Sequence, residues 1–508
     1  MNDIATGRTL NATIFTLALT DFLQAGMTAF AAAPLMGELG MGPEQFSFVA
    51  AVYASVAIFA ISMHRWCVER LGGRRYVQLC AGVLITGSVM CALSDDFGTF
   101  LAGRSVMALG AGIFTSSRMI IHHTLAGPRR FKGIQSLASG LAIGIAAAPW
   151  VAAQAVASDV WSAMYWTVAA LGVLVLVLAE LALPAAPLDR SASRSQVQPW
   201  PQLLLAAASF LLLLALQRSN YDFFDNKGWI GLAVLAGLGG LVAYLWHQRY
   251  HTRPLLRVSD MLHSRYLFGL AVFFFAYLML GANNYMVPVM LQRTLGFAWE
   301  TVGHVEALGL GFALLTWLAM SQWLPRHPAP RKFLAVGFLA LAAFGALLSR
   351  IDSGADLWLH VLPALALNSI FLLTVLPVTA MQTFREMEKD ERLFSNAQQL
   401  KNMMGQAGIA IGIAAATLGQ QWRTALHYST LSESLNPYNP VFRATLDGLQ
   451  RVLGAGASFA DTTRMALARV AQMTEQQAAL LSNIDHFRAI AVLGVLGIAV
   501  TVSQKVFR

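Results

Sequence analysis

Hydrophobic residues along the chain fall into about fourteen separate stretches, divided by short polar segments. Each stretch is close to the 20 or so residues that a helix needs to cross a bilayer. Because only helices and closed barrels satisfy their backbone groups in lipid, the pattern predicts an all-α protein with about fourteen transmembrane helices. We place these spans at residues 11–37, 45–64, 76–93, 100–121, 134–156, 162–183, 201–216, 229–246, 266–290, 302–323, 333–348, 357–384, 396–419 and 486–502.

Basic residues are concentrated in alternate loops. The other short loops contain only Arg218, Lys227, Arg293 and Arg350. Because cytoplasmic loops are enriched in lysine and arginine, we expect both termini to be cytoplasmic, which agrees with an even number of spans. The basic loops carry Arg65, Arg70, Arg74, Arg75, Arg129, Arg130, Lys132, Arg249, Arg253, Arg257, Arg265, Arg326, Arg331, Lys332, Arg385, Lys389 and Arg392.

Two of the connections between predicted spans are longer than the rest. The first, residues 184–200, is rich in serine and proline, and the second, residues 420–485, lies on the outer side. In the outer one, apolar residues recur at helical spacing between Met465 and Leu481, which favours a structured hairpin over a disordered loop. The predicted organisation is a six-helix bundle (1–183), a cytoplasmic linker (184–200), two inserted helices (201–257) and a second six-helix bundle (258–508) that includes the outer segment (420–485).

The fifth span has a row of small side chains at every fourth position, which lie on one face of a helix. Such a row lets a second helix approach closely, and the proline beside it removes a backbone donor and is expected to bend the helix. Two interpretations remain open, a tightly packed helix pair or a bent helix at a moving interface. The residues are Ser136, Gly140, Gly144, Ala148 and Ala152, with Pro149 inside the row.

Composition supports the membrane prediction and excludes other classes. Of 508 residues, 56% are hydrophobic and 12% charged, and mean hydropathy is +0.57, unlike a soluble domain of this size. The formal charge of +9 is explained by the basic loops, so it does not indicate nucleic-acid binding. The three cysteines form no disulfide or metal pattern. No nucleotide-binding loop or nucleophile motif is present, so we expect neither an enzyme nor a cofactor.

Ionisable and polar groups within the spans are the main functional candidates, since they are expensive in a bilayer. Asp21 lies about ten residues into the first span, roughly 15 Å deep, and Gln24 follows near the same face. Arg104 and Arg118 lie fourteen residues apart in the fourth span, nearly on one face. We expect two cations along a cavity wall, with Arg118 alternatively a residue that extends to the interface.

The second half of the chain has its own candidates. Asn283 and Asn284 interrupt the ninth span and Asn368 lies in the twelfth, so we expect them to line a cavity. Glu306 opens the tenth span at its outer end, where an ion pair or a solvated position is expected more than titration. Paired histidines without nearby cysteines or acids do not predict a metal site.

Three motifs carry a resemblance to a known family. The loop after the second span reads HRWCVERLGGRRYV and resembles the loop signature of the major facilitator superfamily, with Glu69 where aspartate is usual. In the fourth span, Arg104, Gly110 and Gly112 match the family pattern. The fifth-span row is similar to its antiporter motif, with alanine at three glycine positions. The matching loop residues are Arg70, Gly72, Arg74 and Arg75.

Segments along nearly the whole chain resemble the fourteen-span drug:proton antiporters of the EmrB/QacA type, in particular their Gram-negative EmrB-like branch. The resemblance implies a proton-driven exporter of hydrophobic or amphiphilic compounds in the bacterial inner membrane, working by alternating access. It implies that Glu69 and its neighbouring arginines form a cytoplasmic charge latch between bundles. It also implies a periplasmic adaptor and an outer-membrane channel as partners. Lys401 and Asn402, where the family often has Arg-Gln, are given a structural role at the contact between bundles.

Two rival functions remain open. Arg104 and Arg118 together favour a narrow exporter of an acidic metabolite or siderophore-like product. The alanine at position 25, where the family commonly has an acid, and the replaced glycines favour a membrane scaffold that has lost transport. Our hypothesis for the first-span acid is that Asp21 exchanges a proton and an arginine partner during the transport cycle.

Overall fold

The structure is a computed structural model that describes residues 2–125, 128–184, 195–222, 226–252, 254–326, 329–453 and 459–507. Within these ranges the chain is almost entirely helical, as the hydrophobic pattern predicts. Single π-helical turns at Met290–Thr294 and Leu357–Val361 extend two of the helices. The helices are α1 (Asn2–Phe30), α2 (Ala32–Glu38), α3 (Pro43–Leu71), α4 (Gly73–Ala92), α5 (Phe97–Leu109), α6 (Gly112–Thr124), α7 (Pro128–Ala157), α8 (Ala163–Ala182), α9 (Pro199–Asp222), α10 (Lys227–Tyr250), α11 (Val258–Met261), α12 (Ser264–Val289), α13 (Trp299–Arg326), α14 (Pro330–Leu348), α15 (Leu362–Thr383), α16 (Glu391–Ser432), α17 (Pro440–Leu453) and α18 (Phe459–Ser503).

Each of the predicted spans falls on a helix or a helix pair. In the described residues, eleven helices are long and apolar enough to cross a membrane, and the pair α1 and α2, bent by 66°, raises the number to twelve. The fourth predicted span is divided between α5 and α6, which are separated at Gly110 and Ala111. The thirteenth lies in α16, whose first turns carry buried amides and a lysine. The all-α polytopic prediction is therefore confirmed.

The row of small residues on α7 packs against α1. A Cβ atom added at Gly144 would lie 2.8 Å from the carbonyl oxygen of Leu19, and one added at Gly26 would lie 2.6 Å from the Cβ of Ala148. The backbones therefore approach as closely as the spacing of small residues predicts. The helix continues without a break through Pro149.

The neighbouring face of α7 packs against α13. A Cβ atom added at Gly303 would lie 2.9 Å from the carbonyl oxygen of Pro149 and would collide with the Cβ of Ala153. This contact joins the first half of the chain to the second. We call the end that carries the arginine-rich loops the basic end and the end that carries residues 420–485 the hairpin end. The α7–α13 contact lies toward the hairpin end.

A second contact between the halves lies at the basic end, between α3 and α16. The amide of Gln399 donates a hydrogen bond to the Ser62 carbonyl oxygen, and Arg65 donates one to Asn396 Oδ1 at 3.1 Å. The hydroxyl of Ser62 also donates to Gln202 of α9 at 2.9 Å. Helix α9 packs against both α3 and α16, so this predicted inserted helix contacts both halves of the chain.

The outer segment is a helical hairpin, as its apolar spacing predicts. Helix α16 continues beyond its predicted span to Ser432, α17 packs on α18, and α18 runs unbroken from the hairpin into the last span. At its base, Asp485 accepts hydrogen bonds from Arg423 Nε at 2.8 Å and from His427 Nε2 at 2.7 Å.

Of the predicted linker, residues 185–194 lie outside the described ranges. The division into two bundles and an insertion stays a prediction.

Candidate functional site

The main cavity lies between helices of the two halves and contains about 960 Å³ of empty space, including the part that is open to solvent. Helices α1, α3, α5 and α6 contribute from the first half, and α12 and α16 from the second. Most of the wall is apolar or aromatic, with a few polar groups, which is typical of a small-molecule site. The lining residues used below are Asp21, Ala25, Tyr53, Arg104, Tyr277 and Asn402.

Three side chains, Arg104, Gln24 and Tyr53, form a connected polar cluster at the wall. The guanidinium carbon of Arg104 lies 4.1 Å from the centre of the Tyr53 ring, a cation–π contact. Its Nη1 donates to Gln24 Oε1 at 3.3 Å, and Gln24 Nε2 donates to the Tyr53 hydroxyl at 2.7 Å. The Nε of Arg104 has no hydrogen-bond partner within the described part of the chain. The cluster therefore holds a buried cation at the cavity with donor capacity to spare.

Asp21 also lines this cavity. It lies one helical turn before Ala25, the position at which the family that the sequence resembles commonly has an acidic residue. Lys401 of α16, across the boundary between the halves, is close enough to interact electrostatically with Asp21. The exchange of Asp21 between a proton and an arginine partner stays a prediction. Asn402, next to Lys401, donates to the Thr115 hydroxyl of α6 at 2.8 Å, so the expected contact between halves is present at this pair.

A second cavity of about 810 Å³ lies nearer the basic end. Tyr277 lines both cavities, and Lys401 and Arg118 line the second. The sequence pattern puts Arg104 and Arg118 on one wall, but the structure places them in different cavities. The fourteen residues between them correspond to about 20 Å along a helix. The helix is also broken between α5 and α6, where the Gly110 amide bonds to the carbonyl of Met107, three residues earlier.

The other predicted polar residues lie outside these two cavities. Asn283 of α12 donates to Asn368 Oδ1 of α15 at 2.8 Å, so the two asparagines join helices instead of lining the cavity wall. Asn284 is half-buried. Glu306 is buried on α13, and its Oε1 has no hydrogen-bond partner among the described residues. The sequence predicted a solvated or ion-paired Glu306 at the outer end of the span. That prediction is wrong, because the side chain is buried and forms no ion pair with the described residues.

Comparison with known proteins identifies the family. The sequence profile of the Major Facilitator Superfamily matches residues 14–413, most of the chain. The chain belongs to the major facilitator superfamily.

Relatives of this facilitator are named as drug-resistance proteins. It is 24% identical over 424 residues to the colistin resistance protein EmrB of Acinetobacter baumannii, covering 81% of this chain and 80% of that protein. It is 20% identical over 464 residues to the probable multidrug resistance protein EmrY of Escherichia coli, covering 89% and 88%. The crystal structure of the POT family transporter PepTSo superposes with a TM-score of 0.56 at 12% identity, covering 98% of this chain and 99% of that one, which shows the shared fold.

The loop motif of this facilitator contacts Ser195, which lies in the predicted linker. Glu69 Oε2 accepts hydrogen bonds from the backbone and hydroxyl of Ser195 at 2.7 and 2.6 Å, and Arg70 donates to the Ser195 carbonyl at 3.1 Å. Gly72 has φ of 81°, a conformation that favours glycine, where α3 turns into α4. Arg74 forms an ion pair with Glu180 of α8.

The direct link between the halves at this motif comes from Arg65, which occupies a position where the family usually has glycine. Its Nε donates to Glu69 Oε1 at 2.7 Å while its Nη1 donates to Asn396. Arg75 is exposed. At this motif the contact between the halves is therefore that of Arg65 with Asn396, and Glu69 accepts a hydrogen bond from the same arginine. The latch of Glu69 with Arg70, Arg74 and Arg75 stays a prediction.

Proposed function

We propose that this facilitator is a proton-coupled exporter of hydrophobic or amphiphilic compounds in a bacterial inner membrane, with the basic end and both termini in the cytoplasm. The observation that carries the proposal is the Asp21 carboxyl group on the wall of a largely apolar cavity that both halves of the chain line. A carboxyl group in that position can carry a proton and be exposed to either side as the halves move. The drug-resistance names of its relatives support the same substrate class.

Transport in inverted membrane vesicles tests the proposal. We expect substrate accumulation that requires a proton gradient in the wild type and is abolished, by about tenfold or more, in Asp21→Asn. The matched control is Asp95→Asn, which removes the same charge from an exposed residue after α4 and is expected to transport normally. Gradient-dependent transport that persists in Asp21→Asn would contradict the assignment of Asp21, and Glu306→Gln would then be the next variant.

The hairpin supports the proposal of a periplasmic adaptor as partner. Helix α17 has no buried side chain among its described residues, and Tyr438 and Val441 at its start are 89% and 71% exposed. Exposed apolar residues on a protruding element are typical of a docking surface. The outer-membrane channel would then be reached through the adaptor.

Removing the hairpin tip tests this partner. We expect a variant in which a short Gly-Ser linker replaces residues 436–472 to lose co-purification with a co-expressed membrane-fusion adaptor. The base with Asp485, Arg423 and His427 is retained, so the spans should fold and the variant should still insert. Unchanged co-purification would contradict the docking role.

A further inference from the structure

The second cavity differs from the first in the charges of the side chains that line it. Arg118 of α6 and Lys401 of α16 both line it, one from each half of the chain, and no described lining residue is acidic. Apart from Ser321, the other lining residues are apolar or aromatic. We propose that this cavity binds an amphiphilic organic anion, whose carboxylate or sulfonate is held between Arg118 and Lys401. The inference rests on the proposed export function and names its substrate class.

The two cations are held in position by aromatic rings. The ammonium of Lys401 lies 5.3 Å from the centre of the Phe273 ring and 5.7 Å from that of Tyr277. The guanidinium carbon of Arg118 lies 5.5 Å from the centre of the Phe384 ring. Cation–π contacts orient a charge without neutralising it.

Two acidic side chains interact electrostatically with this pair, and neither lines the second cavity. Glu388 pairs with Arg130 at 3.6 Å, and Asp21, which interacts with Lys401, lines the first cavity. Two cations within one cavity repel each other, and an anion between them removes that repulsion while it gains charge-assisted hydrogen bonds.

The rest of the cavity suits the apolar part of such a ligand. Phe131 and Leu137 of α7, Trp317 and Leu324 of α13, and Leu376 of α15 line it. The empty space that these side chains border is about 810 Å³, including the part that is open to solvent. A small inorganic anion would leave this apolar wall without contacts, so the fit favours an anion with an aromatic or aliphatic body.

Binding of two fluorescent probes that differ in charge tests the proposal. Dansylglycine carries a carboxylate, and dansylamidoethyl-trimethylammonium carries a quaternary ammonium on the same ring system. With full-length protein in lipid nanodiscs and empty nanodiscs subtracted, we expect saturable dansylglycine binding that is at least about tenfold tighter than binding of the cation. Lys401→Met and Arg118→Met should each weaken dansylglycine about tenfold or more, the size of one charge-assisted contact.

Three further variants make the result specific. Lys401→Arg keeps the charge and should retain most of the affinity, which shows that a loss in Lys401→Met is not a folding defect. Arg326→Gln removes one positive charge from an exposed position on α13 and should bind as the wild type does. Trp317→Phe should reduce energy transfer from tryptophan to the bound dansyl group, because Trp317 lines the cavity.

Equal binding of both probes, or dansylglycine affinity within twofold of wild type in both methionine variants, would overturn the proposal. The outcome is separate from that of the export assay, because binding needs no gradient. Loss of gradient-dependent transport with charge-selective binding intact would overturn the export function and leave the anion site standing. Transport of cations alone, with no saturable dansylglycine binding, would leave export standing and overturn the anion site.

Discussion

At the scale of single residues, Tyr53 contributes twice to the wall of the main cavity. Its ring lies under the Arg104 guanidinium, and its hydroxyl accepts the hydrogen bond from Gln24. Tyr53→Phe removes only the second contact and should lower the free energy of unfolding by about 1 kcal/mol. Tyr53→Leu also removes the ring under a desolvated cation and should cost about 2 kcal/mol more.

Unfolding by sodium dodecyl sulfate in mixed micelles, followed by circular dichroism, measures both differences. The phenylalanine variant serves as the control for the leucine variant, because it keeps the aromatic volume. Equal destabilisation by the two substitutions would mean that the cation–π contact contributes nothing, and that Arg104 is held by its contacts with Gln24 and Met107.

Whether the sequence reveals a functional residue depends on how rare that residue type is within membrane spans. Charged groups are rare in spans, so Asp21, Arg104 and Arg118 are visible in the sequence as candidates. An aromatic residue is ordinary there, and nothing in the sequence distinguishes Tyr53 from the aromatic side chains that face lipid. Lys401 was visible as a charge, but its place beside the second cavity depends on the packing of α16 against helices distant in sequence.

At the scale of elements, the α1–α7 contact depends on missing side chains. Gly144→Ala puts a Cβ atom 2.8 Å from the Leu19 carbonyl oxygen, so the helices must separate. Overpacking of this kind typically costs about 1–3 kcal/mol. Gly239→Ala is the matched control, because nothing lies within 4 Å of a Cβ atom added there on α10. It should be neutral or stabilising by up to about 1 kcal/mol, since alanine is the better helix former.

The same substitution, glycine to alanine, is therefore expected to destabilise the protein at position 144 and to be neutral or stabilising at position 239. The unfolding assay in sodium dodecyl sulfate measures both changes. A stabilising Gly144→Ala would mean that α1 can move away from α7 without loss. The spacing of small residues predicted a close helix neighbour for α7. The sequence did not specify that α1 takes the glycine face and α13 the adjacent face, because several other spans offer comparable apolar surfaces.

At the scale of the whole molecule, two of the helix pairs that join the halves are α3 with α16 and α7 with α13. Helices α3 and α16 are joined at the basic end by the contacts of Ser62 and Arg65, while the main cavity opens between them further along. Helices α7 and α13 are close at Gly303 toward the hairpin end, while the second cavity lies between them nearer the basic end. Exposing the main cavity to the basic end therefore requires α3 and α16 to separate there.

A reversible cross-link tests that requirement. In a background with Cys67, Cys80 and Cys91 replaced by serine, Ser62→Cys with Gln399→Cys should be joined by a short bis-methanethiosulfonate reagent, because Gln399 reaches the Ser62 carbonyl. We expect gradient-dependent transport in vesicles to fall in proportion to cross-linking and to return after reduction with dithiothreitol. The proposed cycle moves the halves apart at this point, so a covalent link prevents it.

The control joins helices that need not separate. Leu212→Cys with Gly237→Cys links α9 to α10, which pack directly on each other, and quantitative cross-linking there should leave transport within about twofold. Transport that survives complete linkage of positions 62 and 399 would exclude opening between α3 and α16. In that case the substrate would enter beside α7 and α13, where the second cavity already lies toward the basic end, and a link between those helices would be the one that stops transport.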